Sequence, residues 1–161
     1  MDMILKGKVW KFGDDISTDY MAPSFSMDDP WEVRMKTILH IHEAFSKGWE
    51  PGDVIVAGQN YGCGSSREWA PANLKRMGIG CVVAESFARI FFRNCMAIAF
   101  PVIICKGVSK AFEEGNIMEI DFENSIVKNQ TQGLELEGNP LHPDLLKIVK
   151  AGGILESLEC K

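Results

Sequence analysis

Residues 58–68 read Gly58-Gln59-Asn60-Tyr61-Gly62-Cys63-Gly64-Ser65-Ser66-Arg67-Glu68 and separate an apolar run from a helical pattern. The apolar run is Val-Ile-Val-Ala at 54–57, and the helical pattern covers about 66–77. A buried strand, a glycine-rich turn and a helix start in this order are typical of an α/β fold. The glycines at 58, 62 and 64 allow positive φ angles and a close approach of another molecule to the backbone.

The second half of this loop predicts an anion-binding site. Ser65 and Glu68 have the spacing of a capping box, so we expect a helix N-terminus with free N–H groups at Ser65. Two hydroxyls and a guanidinium, on Ser65, Ser66 and Arg67, suit a carboxylate or a phosphate. The loop matches neither a Rossmann turn, whose third glycine position is Arg67 here, nor a Walker loop. The residues alone leave the reaction open.

Length, composition and net charge limit the classes of protein to which the chain can belong. A chain of 161 residues fits one domain, 1–161, and a hydrophobic share of 46% supports a packed core. The net charge of -5 gives no electrostatic reason to expect a nucleic-acid partner. No apolar run reaches the length that crosses a bilayer, and the first residues lack the apolar core of a signal peptide. We therefore expect a cytoplasmic protein without a membrane partner.

The five cysteines, at 63, 81, 95, 105 and 160, are too dispersed for a self-contained zinc or iron–sulfur site. Cys81 and Cys105 lie in apolar runs and are predicted to be buried thiols. Cys63 lies in the glycine loop, where it is either a nucleophile or a small filler. No histidine is nearby in the sequence, so the filler is the favoured interpretation.

The remaining pattern predicts an α/β fold with a mainly parallel central sheet, covering helices and short antiparallel strands. Strands are expected at 4–12, 54–57, 81–84 and 101–105. Helices are expected from Pro30 to about 45 with Asp29 as N-cap, at 66–77 before Gly78, and at 87–97 with Ser86 as cap. Shorter strands at 117–121, 125–128 and 133–137 precede a helix at 143–151 that Gly152 and Gly153 would end.

Residues 13–19, Gly-Asp-Asp-Ile-Ser-Thr-Asp, carry three carboxylates. One interpretation is a solvated turn with Asx hydrogen bonds, which the residue types alone favour. The alternative is that one carboxylate lines a site.

Three motifs in this order resemble the swivel domain of the aconitase superfamily. They are residues 14–19 with Pro23, residues 61–68, and residues 85–91, Glu-Ser-Phe-Ala-Arg-Ile-Phe. Their spacing and the chain length are similar to the free-standing small subunits of 3-isopropylmalate dehydratase and its homoaconitase relatives. The resemblance implies a single swivelling β/β/α domain.

The resemblance also implies a two-subunit hydro-lyase. The large subunit would carry a four-iron four-sulfur cluster, and this chain would bind no cofactor or metal. The expected partners are that large subunit and a small dicarboxylic acid, whose reversible dehydration needs proton removal next to a carboxylate. Self-association of the isolated chain stays an open alternative.

By the same resemblance, Ser65 is the proton-abstracting residue, and Asp19 lies at the catalytic face. Ser66, Arg67 and Gly64 would bind the substrate. The simpler alternatives are that Ser65 only caps a helix and that Arg67 is a surface arginine.

In this family the segment after the Thr-Asp pair selects the substrate, and here it spans 20–30. It contains no Arg or Lys, so a third carboxylate lacks an obvious partner, which disfavours homoaconitate and citrate. Phe25 and Met27 offer an apolar surface to an alkyl group, or they only pack the loop. We expect 3-isopropylmalate, in leucine biosynthesis, with dimethylmalate or homoaconitate as alternatives. A non-catalytic module that binds small acids is the competing class.

Overall fold

A seven-stranded sheet joins a parallel half to an antiparallel half. The computed structural model describes residues 4–151. Its strands are β1 (Ile4–Lys11), β2 (Val54–Ala57), β3 (Cys81–Ala84), β4 (Val102–Ile104), β5 (Ile117–Asp121), β6 (Ile126–Asn129) and β7 (Leu134–Glu137). They are ordered β4-β3-β2-β1-β5-β6-β7. β1 is the junction, because its residues 9–11 pair in parallel with β2 and its residues 4–8 pair antiparallel with β5. The predicted fold class is confirmed.

Helices cover the sheet and fill its crossovers. They are α1 (Thr18–Met21), α2 (Trp31–Arg34), α3 (Glu43–Gly48), α4 (Trp69–Met77), α5 (Arg89–Ala97), α6 (Val108–Ala111) and α7 (Pro143–Ala151). A 3-10 turn spans Ser24–Ser26. Gly78 ends α4 with a φ of 90°, as predicted. In the part of the chain that the structure describes, no helix is both long and apolar enough to cross a bilayer.

β2 is apolar throughout because both of its faces are covered. Its alternate side chains enter two separate cores: Ile55 and Ala57 pack into one, Val54 and Val56 into the other. Successive side chains of a strand point to opposite faces, so a strand buried on both sides shows no polar alternation. This burial fixes the position from which the loop 58–68 emerges.

The single helix predicted from Pro30 to about 45 is wrong. The structure has two short helices, α2 and α3, separated by turns. Leu39 has a positive φ of 55°, is fully buried, and donates its N–H to the carbonyl of Tyr20 at 2.7 Å. This packing of Leu39 overrides the helical pattern. Asp29 is not the N-cap either, since Pro30 precedes α2 without a side-chain capping bond.

Ser86 does not cap α5. The helix begins at Arg89, two residues later than expected. The Ser86 hydroxyl instead accepts a hydrogen bond from the Asn60 N–H at 2.7 Å and donates to Gln59 Oε1 at 2.8 Å. It therefore ties the loop after β3 to the loop after β2. The glycines expected to end the last helix lie outside the described residues.

Candidate active site

Three loops meet at one edge of the parallel half. They follow β1, β2 and β3, and the carboxyl ends of parallel strands share an edge of the sheet. Isolated bridges join Ser17 to Cys63 and Tyr61 to Phe87. The three motifs that carry the family resemblance therefore lie side by side.

The first two carboxylates of residues 13–19 hold the glycine loop in place. Asp14 Oδ1 accepts a hydrogen bond from the Gln59 N–H at 2.7 Å. Asp15 Oδ1 accepts one from the Asn60 amide at 3.0 Å. Asp15 and Asn60 both have positive φ angles, of 54° and 58°. The local Asx bonding predicted for residues 13–19 is thus not what Asp14 and Asp15 form, since their hydrogen bonds run to a loop 45 residues away.

The backbone at Ser65 is held by the loop after β1. Thr18 donates its N–H to the Cys63 carbonyl at 2.8 Å and its hydroxyl to the Ser65 carbonyl at 2.9 Å. Gly64 has a φ of 97°, and a Cβ there would lie 2.8 Å from Ser17 Oγ. Both its conformation and its surroundings therefore require glycine.

Free backbone donors follow in the same turn. Among the described residues, the N–H groups of Gly64, Ser65 and Ser66 donate to no backbone carbonyl. The Ser66 side chain is exposed. Successive free N–H groups in a tight turn form a concave site for an anion. The geometry agrees with the anion-binding loop that the sequence predicts.

Arg67 joins the two site loops. Its Nε donates to Ser65 Oγ at 2.8 Å, and one terminal nitrogen donates to the Ala22 carbonyl at 2.9 Å. The other terminal nitrogen forms an ion pair with Asp19 Oδ1 at 3.1 Å. A guanidinium has five N–H groups, so two remain available to a ligand. Asp19 and Ser65, predicted from separate motifs, meet at this one side chain.

The predicted capping box is wrong. α4 begins at Trp69, Glu68 stands at its N-cap, and no side chain caps the helix. The Ser65 hydroxyl faces the Arg67 guanidinium instead. Ser65 therefore lies next to the full positive charge of the Arg67 guanidinium and not next to the partial positive charge of a helix N-terminus.

Phe25 and Met27 have different surroundings in the structure. Both are exposed, by 69% and 46%. The Phe25 ring contacts the His40 ring, with centroids 5.5 Å apart. Met27 lines a pocket of about 100 Å³, which we call the loop pocket; it is lined by Ala22, Pro23, Ser26, Met27, Arg34, Ile38, Trp69 and Asn73.

Four residues of the loop pocket were missed from the sequence: Arg34, Ile38, Trp69 and Asn73. Asn73 is buried, and its amide donates to the Met21 carbonyl at 3.0 Å while accepting from Arg34 at 3.3 Å. A signal existed for Asn73, because it stands in the buried stripe of α4 formed by Ala70, Leu74 and Met77. A polar residue in such a stripe needs a partner. Nothing in the local sequence indicates Arg34 or Trp69.

The four cysteines within residues 4–151 do not form the ligand set of an iron–sulfur cluster. Cys81, Cys95 and Cys105 are buried, as predicted for the first and last, and burial raises the pKa of each thiol, to about 11 for Cys105. Burial, followed by the Asp15 carboxylate, also raises the pKa of Cys63. Within residues 4–151 no three His, Cys, Asp or Glu side chains are grouped to hold a metal ion. Cys160 lies outside the described residues.

Comparison with known proteins agrees with the three motifs. The Aconitase C-terminal domain family matches residues 33–103. The isopropylmalate/citramalate isomerase small subunit of Methanocaldococcus jannaschii is 44% identical, over 100% of this chain and 97% of that protein. This chain belongs to the family of 3-isopropylmalate dehydratase small subunits.

Further members of the 3-isopropylmalate dehydratase small-subunit family support this assignment. The small subunit 1 of Thermotoga maritima is 45% identical, over 97% of this chain and 95% of its own length. A crystal structure of 3-isopropylmalate dehydratase from M. jannaschii superposes with a TM-score of 0.88 at 37% identity, covering 98% of this chain and 94% of that one. The predicted family and the hydro-lyase class are confirmed.

Proposed function

We propose that this chain is the small subunit of a hydro-lyase that reversibly dehydrates 3-isopropylmalate in leucine biosynthesis. The observation that carries the proposal is the hydrogen bond from Arg67 Nε to Ser65 Oγ at the edge where the three motifs meet. The names of the relatives support the substrate, and one of them includes citramalate, which has a smaller alkyl group. A loop pocket of about 100 Å³ suits such short groups.

Ser65 removes the proton next to the substrate carboxylate in this proposal. A serine hydroxyl is a poor base at its ordinary pKa, so the site must stabilise the alkoxide. The Nε–H of Arg67 does this at 2.8 Å with a charge-assisted hydrogen bond that is already formed in the free chain.

The substrate carboxylate binds beside Ser65. Arg67 offers its two remaining N–H groups, and Gly64 and Ser66 offer free backbone N–H groups from the same turn. The exposed Ser66 hydroxyl adds a further donor. All of these groups lie within the turn or next to it, so one carboxylate can contact several of them at once.

Asp19 acts as a positioning residue. Its carboxylate holds one terminal nitrogen of Arg67 at 3.1 Å, while the Ala22 carbonyl holds the other at 2.9 Å. These two contacts leave Nε directed at Ser65. The Asp19→Asn variant should therefore lower kcat more than it raises KM. It disturbs the base, Ser65, and not the N–H groups that bind the substrate carboxylate.

The site is half complete in this chain. The described cysteines do not fit a cluster, so we place the four-iron four-sulfur cluster, with its Lewis-acid chemistry, on a large subunit. This chain contributes the base, Ser65, and the N–H groups that bind the substrate carboxylate. We place the assembled enzyme in the cytoplasm.

The Ser65→Ala variant tests this proposal most directly. The chain is co-expressed with its large subunit under anaerobic conditions, and turnover of 3-isopropylmalate is measured. Loss of the base should lower kcat by roughly 10²–10⁴-fold. Ser109→Ala, on α6, is the matched control and should keep wild-type activity.

Near wild-type turnover by Ser65→Ala would remove Ser65 from catalysis. A chain that binds small acids as a free protein, and forms no complex with a large subunit, would support the non-catalytic module instead.

A further inference from the structure

Thr18, the first residue of α1, makes two contacts with the backbone of residues 63–67, which we call the catalytic turn. Its N–H donates to the Cys63 carbonyl at 2.8 Å, and its hydroxyl donates to the Ser65 carbonyl at 2.9 Å. The Ser65 carbonyl also accepts the Arg67 N–H at 2.9 Å, but that bond closes the turn on itself. Among the described residues, Thr18 is thus the one residue outside the turn that holds this carbonyl.

These two contacts set the direction of the neighbouring N–H groups. In a trans peptide group the C=O and the following N–H point in opposite directions, and no described peptide bond is cis. The Cys63 carbonyl points at Thr18, so the Gly64 N–H points away from Thr18. The Ser66 N–H points away from it as well, because Thr18 holds the Ser65 carbonyl. Thr18 therefore turns the N–H groups of residues 64 and 66 to one side of the turn.

The side of the turn that faces Thr18 is closed to a ligand. A Cβ on Gly64 would lie 2.8 Å from Ser17 Oγ and 3.4 Å from Thr18 Oγ1. Thr18 is 2% exposed, whereas Gly64, Ser65 and Ser66 are exposed. A ligand therefore reaches the turn from the opposite side, towards which the N–H groups of residues 64 and 66 point. Backbone N–H groups directed to one side of a tight turn form a site for an anion.

Thr18 and Asp19 are neighbours in the chain but hold different parts of the site. Asp19 Oδ1 pairs with the Arg67 guanidinium at 3.1 Å, and that guanidinium donates to the Ser65 hydroxyl. The Thr18 hydroxyl holds the peptide group that carries the Ser66 N–H. The Asp19 contact thus acts on the base, and the Thr18 contact acts on a donor to the substrate carboxylate.

We propose that Thr18 is a positioning residue for substrate binding. Its hydroxyl fixes the peptide group between Ser65 and Ser66, so that the Ser66 N–H, together with the Gly64 N–H, receives the substrate carboxylate. Thr18 acts through this peptide group and does not contact the substrate. This inference rests on the proposed function, which places the carboxylate at these donors.

The Thr18→Val variant tests this inference on the complex reconstituted with the large subunit. It removes the hydroxyl, keeps the β-branched shape and leaves the backbone N–H that holds the Cys63 carbonyl. The KM for 3-isopropylmalate should rise roughly five- to tenfold, because a misdirected Ser66 N–H loses its hydrogen bond to the carboxylate. The kcat should stay within about twofold, since the carboxylate is bound both before and during proton removal. The Asp19→Asn variant should show the opposite division between kcat and KM.

Two further variants separate the hydroxyl from the packing of the side chain. Thr18→Ser restores the hydroxyl and should return KM to within about twofold of the wild-type value. Thr131→Val is the matched control, because it also removes a hydroxyl bonded to the backbone, here to the Ile117 N–H at 2.9 Å in the antiparallel half. It should change neither kcat nor KM. If Thr18→Val does not assemble with the large subunit, Thr18→Ala takes its place with the same expected result.

An unchanged KM in an intact Thr18→Val complex overturns this inference, and so does a fall in kcat as large as the rise in KM. Equal KM values for Thr18→Ser and Thr18→Val overturn it as well, because the hydroxyl would then have no part in binding. A wild-type complex that converts no 3-isopropylmalate overturns the proposed function.

Discussion

The two halves of the sheet use similar residues in different ways. In the parallel half, the side chains of Asp14 and Asn60 form hydrogen bonds between loops, Asp14 with the Gln59 N–H and Asn60 with the Asp15 carboxylate. In the antiparallel half, Asp121 accepts hydrogen bonds from Asn124, three residues away, and the bonds close a single turn. Asp14 and Gln59 are 45 residues apart. Turn-forming side chains thus join distant segments in one half and neighbouring residues in the other.

The connections explain this difference. Parallel strands require long crossovers, whereas antiparallel strands can be joined by short turns. The loops of the parallel half therefore gather residues from far along the chain at one edge, and Asp19, Ser65 and Arg67 meet there. The turns of the antiparallel half gather only their own residues. The candidate active site accordingly lies in the parallel half.

The largest expected effect that tests this contrast is that of Arg67→Lys. An ammonium has one nitrogen and cannot contact Ser65, Ala22 and Asp19 together, so kcat/KM should fall by roughly 10²–10³-fold. Steady-state kinetics of the reconstituted complex measure it, with Arg76→Lys as the control. Equal kinetics for both variants would show that joining the two loops through Arg67 is unimportant for catalysis.

A smaller effect is expected on stability, from alanine at two glycines with positive φ. A Cβ at Gly62 would lie 2.2 Å from Cγ of the buried Phe91, whereas at Gly133 it would meet nothing within 4 Å. Gly62→Ala should lower the free energy of unfolding by about 3 kcal/mol, from overpacking and backbone strain together. Gly133→Ala, between β6 and β7, should cost about 1 kcal/mol from strain alone.

Urea denaturation of both glycine variants makes the measurement. Equal decreases in the free energy of unfolding would mean that the loop at Gly62 is no more tightly packed than the hairpin turn at Gly133.

The smallest effect concerns Cys63. Burial and the Asp15 carboxylate raise the pKa of this thiol above its ordinary value of 9.0, so the reactive thiolate is scarce at neutral pH. Iodoacetamide should modify Cys63 slowly at pH 7, and the rate should rise up to and beyond pH 9. Cys63→Ala should keep the activity of the complex. Rapid modification at pH 7 with parallel loss of turnover would restore Cys63 as a candidate nucleophile.

Local patterns predicted the elements that depend on local chemistry. β2, β3 and β5 lie where uniform or alternating apolar residues indicated, and Gly78 ends α4. The failures occur where a distant contact decides. Leu39 interrupts the predicted helix because its N–H forms a hydrogen bond with the Tyr20 carbonyl. The Ser86 hydroxyl accepts a hydrogen bond from the Asn60 N–H instead of capping α5. Helix propensity is a weak preference, and the free energy of such tertiary contacts exceeds it.

The sequence by itself determined the α/β class, the glycine loop and the three motifs, because each depends on spacing within a short segment. Only the tertiary structure decided that Ser65 faces the Arg67 guanidinium instead of capping α4, and that Asp19 holds the same arginine. It also decided that Arg34 lines the pocket beneath residues 20–30. These are contacts between segments that the crossovers of a parallel sheet bring together, and no pattern within one segment contains them.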